Sequence, residues 1–240
     1  MHTEKKTSAV ATECSPLAHS LRFLATTTGR DKILRSVQYF SRFYCWYLHR
    51  AQHSQNGINL QAISNQFEVT RKILRIGTFI EKFNAASTAY SRNSTDTLLR
   101  YLTVAHHIGY GGYLALDNIL AIDAAGVRKL ATAKKLKKLA YRSWMAGLIC
   151  SIVAGIYSLC KLQKKKDMEG TSEAKRTQKA RYNTSAQLVA NLCDLTLPIS
   201  VLGYAALGDG VVGMAGTISS LIGAWFQWRK TAMVESQSWS

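Results

Sequence analysis

The chain has 240 residues, carries 31 Lys and Arg against 14 Asp and Glu, and has a net charge of +17 with a pI near 9.8, yet its mean hydropathy is only −0.06. Five cysteines, an odd number with no Cys-x-x-Cys pair, argue against a disulfide framework or a zinc site. The positive excess implies an anionic partner, either nucleic acid or a membrane surface. Charge and apolarity are segregated: no Lys or Arg occurs over 101–127, 143–160 or 182–228, and basic clusters lie between these blocks. Helical membrane proteins are written this way.

In chain order, residues 1–15 are polar and predict a disordered tail with no secretory signal. Pro16 to Thr26 predicts a short helix with Leu17, Leu21 and Leu24 on one side, broken at Thr28-Gly29. A second amphipathic helix follows from Arg30 to Arg50, with Ile33, Val37, Phe40, Tyr44 and Tyr47 recurring at 4, 3, 4, 3 and Arg35 and Arg42 on another face. The polar stretch 52–59, with Asn56-Gly57 at its centre, reads as a turn.

The third helix, 65–84, is the most informative. Val69, Ile73, Ile76, Ile80 and Phe83 fall on one line, while Arg71, Lys72, Arg75 and Lys82 form a narrow basic strip. This pattern suits a helix lying flat in a membrane interface, the apolar line inserting and the basic strip binding anionic lipid. A core helix of a soluble bundle has the same period.

After a polar connector over 87–96, residues 97–122 are apolar and aromatic but contain His106, His107 and Asp117, so they predict a weak span or a helix packed beside one. Adjacent histidines point about 100° apart on a helix and have no Cys or Glu at ligand spacing, so no metal or cofactor is expected. Trp144 to Cys160 is the best span, short but flanked by lysines on both sides. A lysine-rich loop is expected over 163–181. Residues 186–207 are apolar except Asp194, with Pro198 as a kink. After the turn at Gly208-Asp209-Gly210, Val211 to Trp228 is expected as the second good span. Within it Gly216, Ser219, Ser220 and Gly223 set small residues at helix-packing spacing, and Trp225, Trp228, Arg229 and Lys230 make an interfacial belt. Asp194 in an apolar run reads either as a pore lining or as a polar contact inside a helix bundle.

The fold class is therefore all-α, an integral membrane helical protein. It comprises a tail (1–15), an amphipathic helical region (16–96), a helical membrane domain (97–230) and a C-terminal tail (231–240). No catalytic constellation occurs, and a nucleic-acid role rests on charge alone.

Thr28 to Arg35 followed by Gln38-Tyr39 and Arg42, then Arg71 to Gly77, then Gly216 to Trp225, resembles in order and spacing the signatures of the peroxin eleven family. Thr78 departs from it, since many members carry Lys there. The resemblance implies an integral protein of the peroxisomal membrane with cytosolic termini, which elongates and tubulates the organelle before fission. It further implies self-association and partnership with a dynamin-related GTPase and its tail-anchored adaptor, with a metabolite channel as the alternative activity. The first expected outcome concerns integration: after alkaline carbonate extraction the protein stays in the membrane pellet, and complete release would exclude spanning helices.

Overall fold

The computed structural model describes residues 16–51, 54–92, 96–166 and 171–237, all within or between helices. The helices are α1 (Pro16–Ala25), α2 (Thr27–Arg50), α3 (Ser54–Leu74), α4 (Thr78–Ser91), α5 (Thr97–Ala124), α6 (Ala133–Lys166), α7 (Thr171–Leu202) and α8 (Asp209–Gln237). The expected tail at 1–15 lies outside the described residues; of the expected C-terminal tail at 231–240, residues 231–237 instead continue α8, and 238–240 lie outside the described residues.

Local chemistry sets the boundaries. Pro16 opens α1, where its missing N–H costs nothing. The Thr26 hydroxyl caps α2 by accepting from the Gly29 amide at 2.9 Å, so α2 begins three residues before the sequence suggests. The Asp96 carboxylate caps α5 through the Leu99 amide at 3.2 Å. The helix expected to run unbroken over 65–84 does not: it is interrupted after Leu74 and restarts at Thr78, with Gly77 at φ +83° between them. Glycine takes that left-handed conformation without the Cβ clash other residues meet. Residues 54–59, expected as a turn, are instead the first turns of α3. Most of the expected 163–181 loop is helical, since α6 runs to Lys166 and α7 starts at Thr171. Lysine, glutamine, alanine and arginine are good helix formers even where the face they make is fully solvated.

Helices α5 and α6 form the most extensive pair, α2 packs on α3 and α8, α4 lies on α5, and α7 lies between α6 and α8. Glycines allow two close approaches. Along α5 and α6, a Cβ on Gly109 would come within 2.8 Å of Gly147 backbone atoms, and the Ser143 hydroxyl donates to the Gly109 carbonyl at 2.8 Å. Along α2 and α8, a Cβ on Gly213 would sit 2.6 Å from the Phe43 amide nitrogen, and one on Gly216 would enter the Tyr39 ring. The core joins these seams through Tyr39, Tyr113, Leu114, Trp144, Leu197 and Val212.

Among the described residues two helices are long and apolar enough to cross a membrane, α6 over Ala133–Lys164 and α7 over Ala174–Leu202. Only 17% and 22% of their apolar windows are buried inside the protein. A core helix of a soluble protein would be mostly buried, so the open apolar surface of these two is what a membrane-crossing helix presents. The second helix that is long and apolar enough to cross is α7, whereas Val211–Trp228 of α8 does not reach the same mean hydropathy. The latter is diluted by Thr217, Ser219, Ser220 and Gln227, and its small side packs against α2.

Replacing Gly213 by Ala places a methyl group against backbone that cannot swing away. Loss of about 1–3 kcal/mol in detergent unfolding is expected, larger than the helix-propensity gain of about 1 kcal/mol from removing glycine.

Candidate functional site

The residues expected to meet lipid divide into two groups. On the apolar line, Ile73, Ile76, Ile80 and Phe83 are 49%, 61%, 62% and 42% exposed, while Val69 is half-buried. Phe83 leans on α5, where its ring would touch a Cβ at Gly111, and still keeps an open edge. The line survives the break at Gly77, passing from the end of α3 across the turn to α4.

The basic strip is not a strip in three dimensions. Arg71 is buried: its Nε donates to Asp31 Oδ1 at 2.9 Å and its Nη1 to Gln38 Oε1 at 2.6 Å. Arg75 reaches Asp117 Oδ2 at 2.8 Å and Asp31 at 3.8 Å. Lys72 pairs with Glu68 one turn away at 3.0 Å, and Lys82 lies over the Tyr110 ring, 5.4 Å from its centroid. Arg71 and Arg75 therefore face inward. Three carboxylates the sequence presents singly, Asp31 on α2, Asp117 on α5 and Asp194 on α7, each find an arginine. Asp194 is held by both terminal nitrogens of Arg35. The polar-contact reading of Asp194 is the one realised. His106 likewise bonds the Gly147 carbonyl at 3.0 Å. Isolated acids in apolar runs were the available signal that buried cations must exist, and only arginines on neighbouring helices could supply them.

Electrostatics follow from this packing. Burial alone would push the Asp31 carboxyl up, but Arg71, Arg75 and Lys32 outweigh it and hold it down at about 2. Burial, with repulsion from Arg35, pulls Lys32 down to about 8 against the attraction of Asp194 and Asp31. For Glu68, burial raises and Lys72 lowers the carboxyl, with a net depression.

The small residues of α8 are buried in the α2 seam. Ser219 and Ser220 donate to the Gly216 carbonyl, and a Cβ on Gly223 would meet the Lys32 side chain at 2.8 Å. That surface is occupied within the chain and is closed to a second copy. In contrast Ile33, Val37, Phe40, Tyr44 and Tyr47 of α2 are all exposed, with Phe40, Tyr44 and Tyr47 stacked along the helix. Among the described residues no three His, Cys, Asp or Glu side chains gather as metal ligands.

Residues 17–228 match the family described as Peroxisomal biogenesis factor 11 (PEX11). The chain belongs to that family. Its relatives include the peroxisomal membrane protein PMP27 of Saccharomyces cerevisiae, 25% identical over 88% of this chain and 94% of that protein. The Peroxisomal biogenesis factor 11 of Schizosaccharomyces pombe is 23% identical over 92% and 98%. The human Peroxisomal membrane protein 11B is 21% identical over 84% and 93%. No solved structure matches. The family places the protein in the peroxisomal membrane and in peroxisome biogenesis, and it is a family of biogenesis factors rather than enzymes.

Asp31 generates two outcomes. Asp31→Asn strands the buried Arg71 guanidinium, while Arg75 keeps Asp117, and should cost about 3–5 kcal/mol in detergent unfolding. Because the folded carboxyl titrates at about 2, below its ordinary value near 4, its stabilisation is complete above about pH 4 and is lost as pH falls toward 2. The variant's stability should therefore be flatter with pH over that window than that of the parent protein.

Proposed function

We propose that this protein elongates and tubulates the peroxisomal membrane ahead of fission by pressing the apolar edge of α3 and α4 into the cytosolic leaflet. The observation that carries this reading is the exposure of Ile73, Ile76, Ile80 and Phe83 on one edge of a bundle whose arginines are turned inside. A soluble protein gains by covering such an edge, whereas a membrane protein gains by giving it to lipid. Burial in acyl chain offers on the order of 1.5–3 kcal/mol for each side chain before ordering costs. Lys72 and Lys82 at the rim, with the clusters around Lys134 and Lys164, supply about 1 kcal/mol each near anionic headgroups. Insertion is the larger contribution, and charge recruits and orients.

Volume added to one leaflet expands it relative to the other, so the sheet bends. One wedge bends it little, and tubulation requires crowding of copies. With the α8 small-residue side filled by α2, the exposed stripe from Ile33 to Tyr47 is the surface that self-association would use. Two crossings by α6 and α7 return the chain to its starting side, so that both termini face the cytosol. There the dynamin-related GTPase and its tail-anchored adaptor would be met.

Ile76→Glu and Ile80→Glu are predicted to abolish tubulation of anionic liposomes by the reconstituted protein while leaving its helicity and detergent unfolding unchanged, because both side chains point out of the bundle. Undiminished tubulation would reject the wedge.

A further inference from the structure

Between α2, α3, α5, α6, α7 and the start of α8 lies a polar cavity of about 360 Å³. Its floor is buried and built from Arg35, Arg71 and Tyr113, and its mouth is formed by exposed Gln61, Asn65 and Lys137. Six cationic side chains line it, Arg35, Arg42, Arg71, Lys72, Arg75 and Lys137, against three carboxylates, Asp31, Glu68 and Asp209. Asp117 and Asp194, behind the wall, take one edge of Arg75 and Arg35. Even with these two added, the cations outnumber the carboxylates, six to five. Lys137, at the mouth, acts on Glu68 only through its field, while Lys72 makes the direct contact to that carboxylate at 3.0 Å.

The remaining hydrogen-bonding capacity points the same way. A guanidinium has five donors. Arg71 spends Nε and Nη1, and Arg42 spends Nε and Nη2 on a single oxygen of Asp209. The hydroxyls of Ser64, Tyr113 and Tyr141 line the same space. One wall is aromatic, with Tyr113 stacked on Trp144 at 4.8 Å and Tyr141 tilted against Trp144 at 5.9 Å. Spare N–H and O–H donors around excess positive charge suit a phosphoryl group, and a flat aromatic wall suits the C–H face of a polyol ring. The volume lies in the range of small-ligand sites.

We propose that this cavity binds an organic phosphate carried on a compact polyol ring, with the phosphoryl group at Arg71 and Lys137 and the ring against Tyr113 and Trp144. The ligand is either the headgroup of a phosphorylated inositol lipid or a free polyol phosphate. The lipid route is open because Lys137 stands at the α6 end that enters the membrane span. Binding there is separate from the wedge: the apolar edge of α4 contributes no side chain to the cavity.

The test uses the full-length protein in phosphatidylcholine nanodiscs. Inositol 1,4-bisphosphate is titrated calorimetrically, and in a second arm the titration is repeated in nanodiscs that contain phosphatidylinositol 4-phosphate. Saturable binding is expected, weakened about tenfold by Lys137→Glu through loss of one charge-assisted contact and abolished by Ser64→Phe, which fills the cavity. Lys135→Glu, a surface charge outside the cavity, should leave it intact. Competition between the lipid and the soluble probe identifies a headgroup site. Binding of the soluble probe without competition identifies a free phosphate site, and either result supports the proposal. Absence of saturable binding of both probes overturns it, as does equal weakening by Lys135→Glu and Lys137→Glu, which would mean surface charge alone. Lys137 is exposed, so that variant remains decisive if Ser64→Phe does not fold.

Discussion

The interaction on which the architecture depends is the inward ion network of Asp31, Arg71, Arg75 and Asp117, with Arg35 and Asp194 beside it. It joins α2, α3, α5 and α7 by contacts that have direction as well as strength. Apolar packing tolerates a helix sliding by a turn, but a buried guanidinium separated from its carboxylate is left with an uncompensated charge, at a cost of several kcal/mol. The network therefore fixes the rotation of α3. With Arg71 and Arg75 committed to the inside, the isoleucines on the opposite side of the helix have no place in the bundle and must face outward.

That arrangement inverts the layering of a water-soluble domain, in which polar groups are spent on the surface and the interior is oily. Here the acids of the network are satisfied by arginines, and the exterior of α2, of the apolar stretches of α6 and α7 and of the α3–α4 edge is apolar. In a hydrocarbon solvent every polar group needs a partner within the protein, and the three lone acids obey that rule. The lysine-rich ends of α6 and the N-terminal half of α7 carry the remaining charge where headgroups and water are found.

The helical class, the span in α6 and the exposed apolar edge were legible from periodicity and from charge-free runs. What could not be read was direction. Arg71 and Arg75 lie on the strip that a helical projection assigns to headgroups. Their partners Asp31 and Asp117 are forty and forty-two positions away, and no local spacing links them. Gly77 was visible as a glycine, but within an otherwise regular pattern a glycine does not announce a left-handed φ. The small residues of α8 mark a face of close approach, but nothing in their spacing tells a second copy from α2, which comes from the far end of the same chain and fills it. The apolar stretch in α7 is the longer of the two C-terminal ones, and its one buried aspartate is tolerable because Arg35 partners it.

The seam between α2 and α8 has a consequence for biosynthesis. Phe43 and Gly213, and His19 and the Trp228 carbonyl, meet across nearly the whole length of the polypeptide. Closing so long a loop must await synthesis of the last helix. At about 5–20 residues per second, the ribosome takes on the order of ten seconds or more to reach it. Throughout that interval the aromatic stripe, the glycine-matched face of α2 and the cation awaiting Asp194 stand uncovered, so the nascent chain needs a chaperone or immediate contact with its target bilayer to escape aggregation.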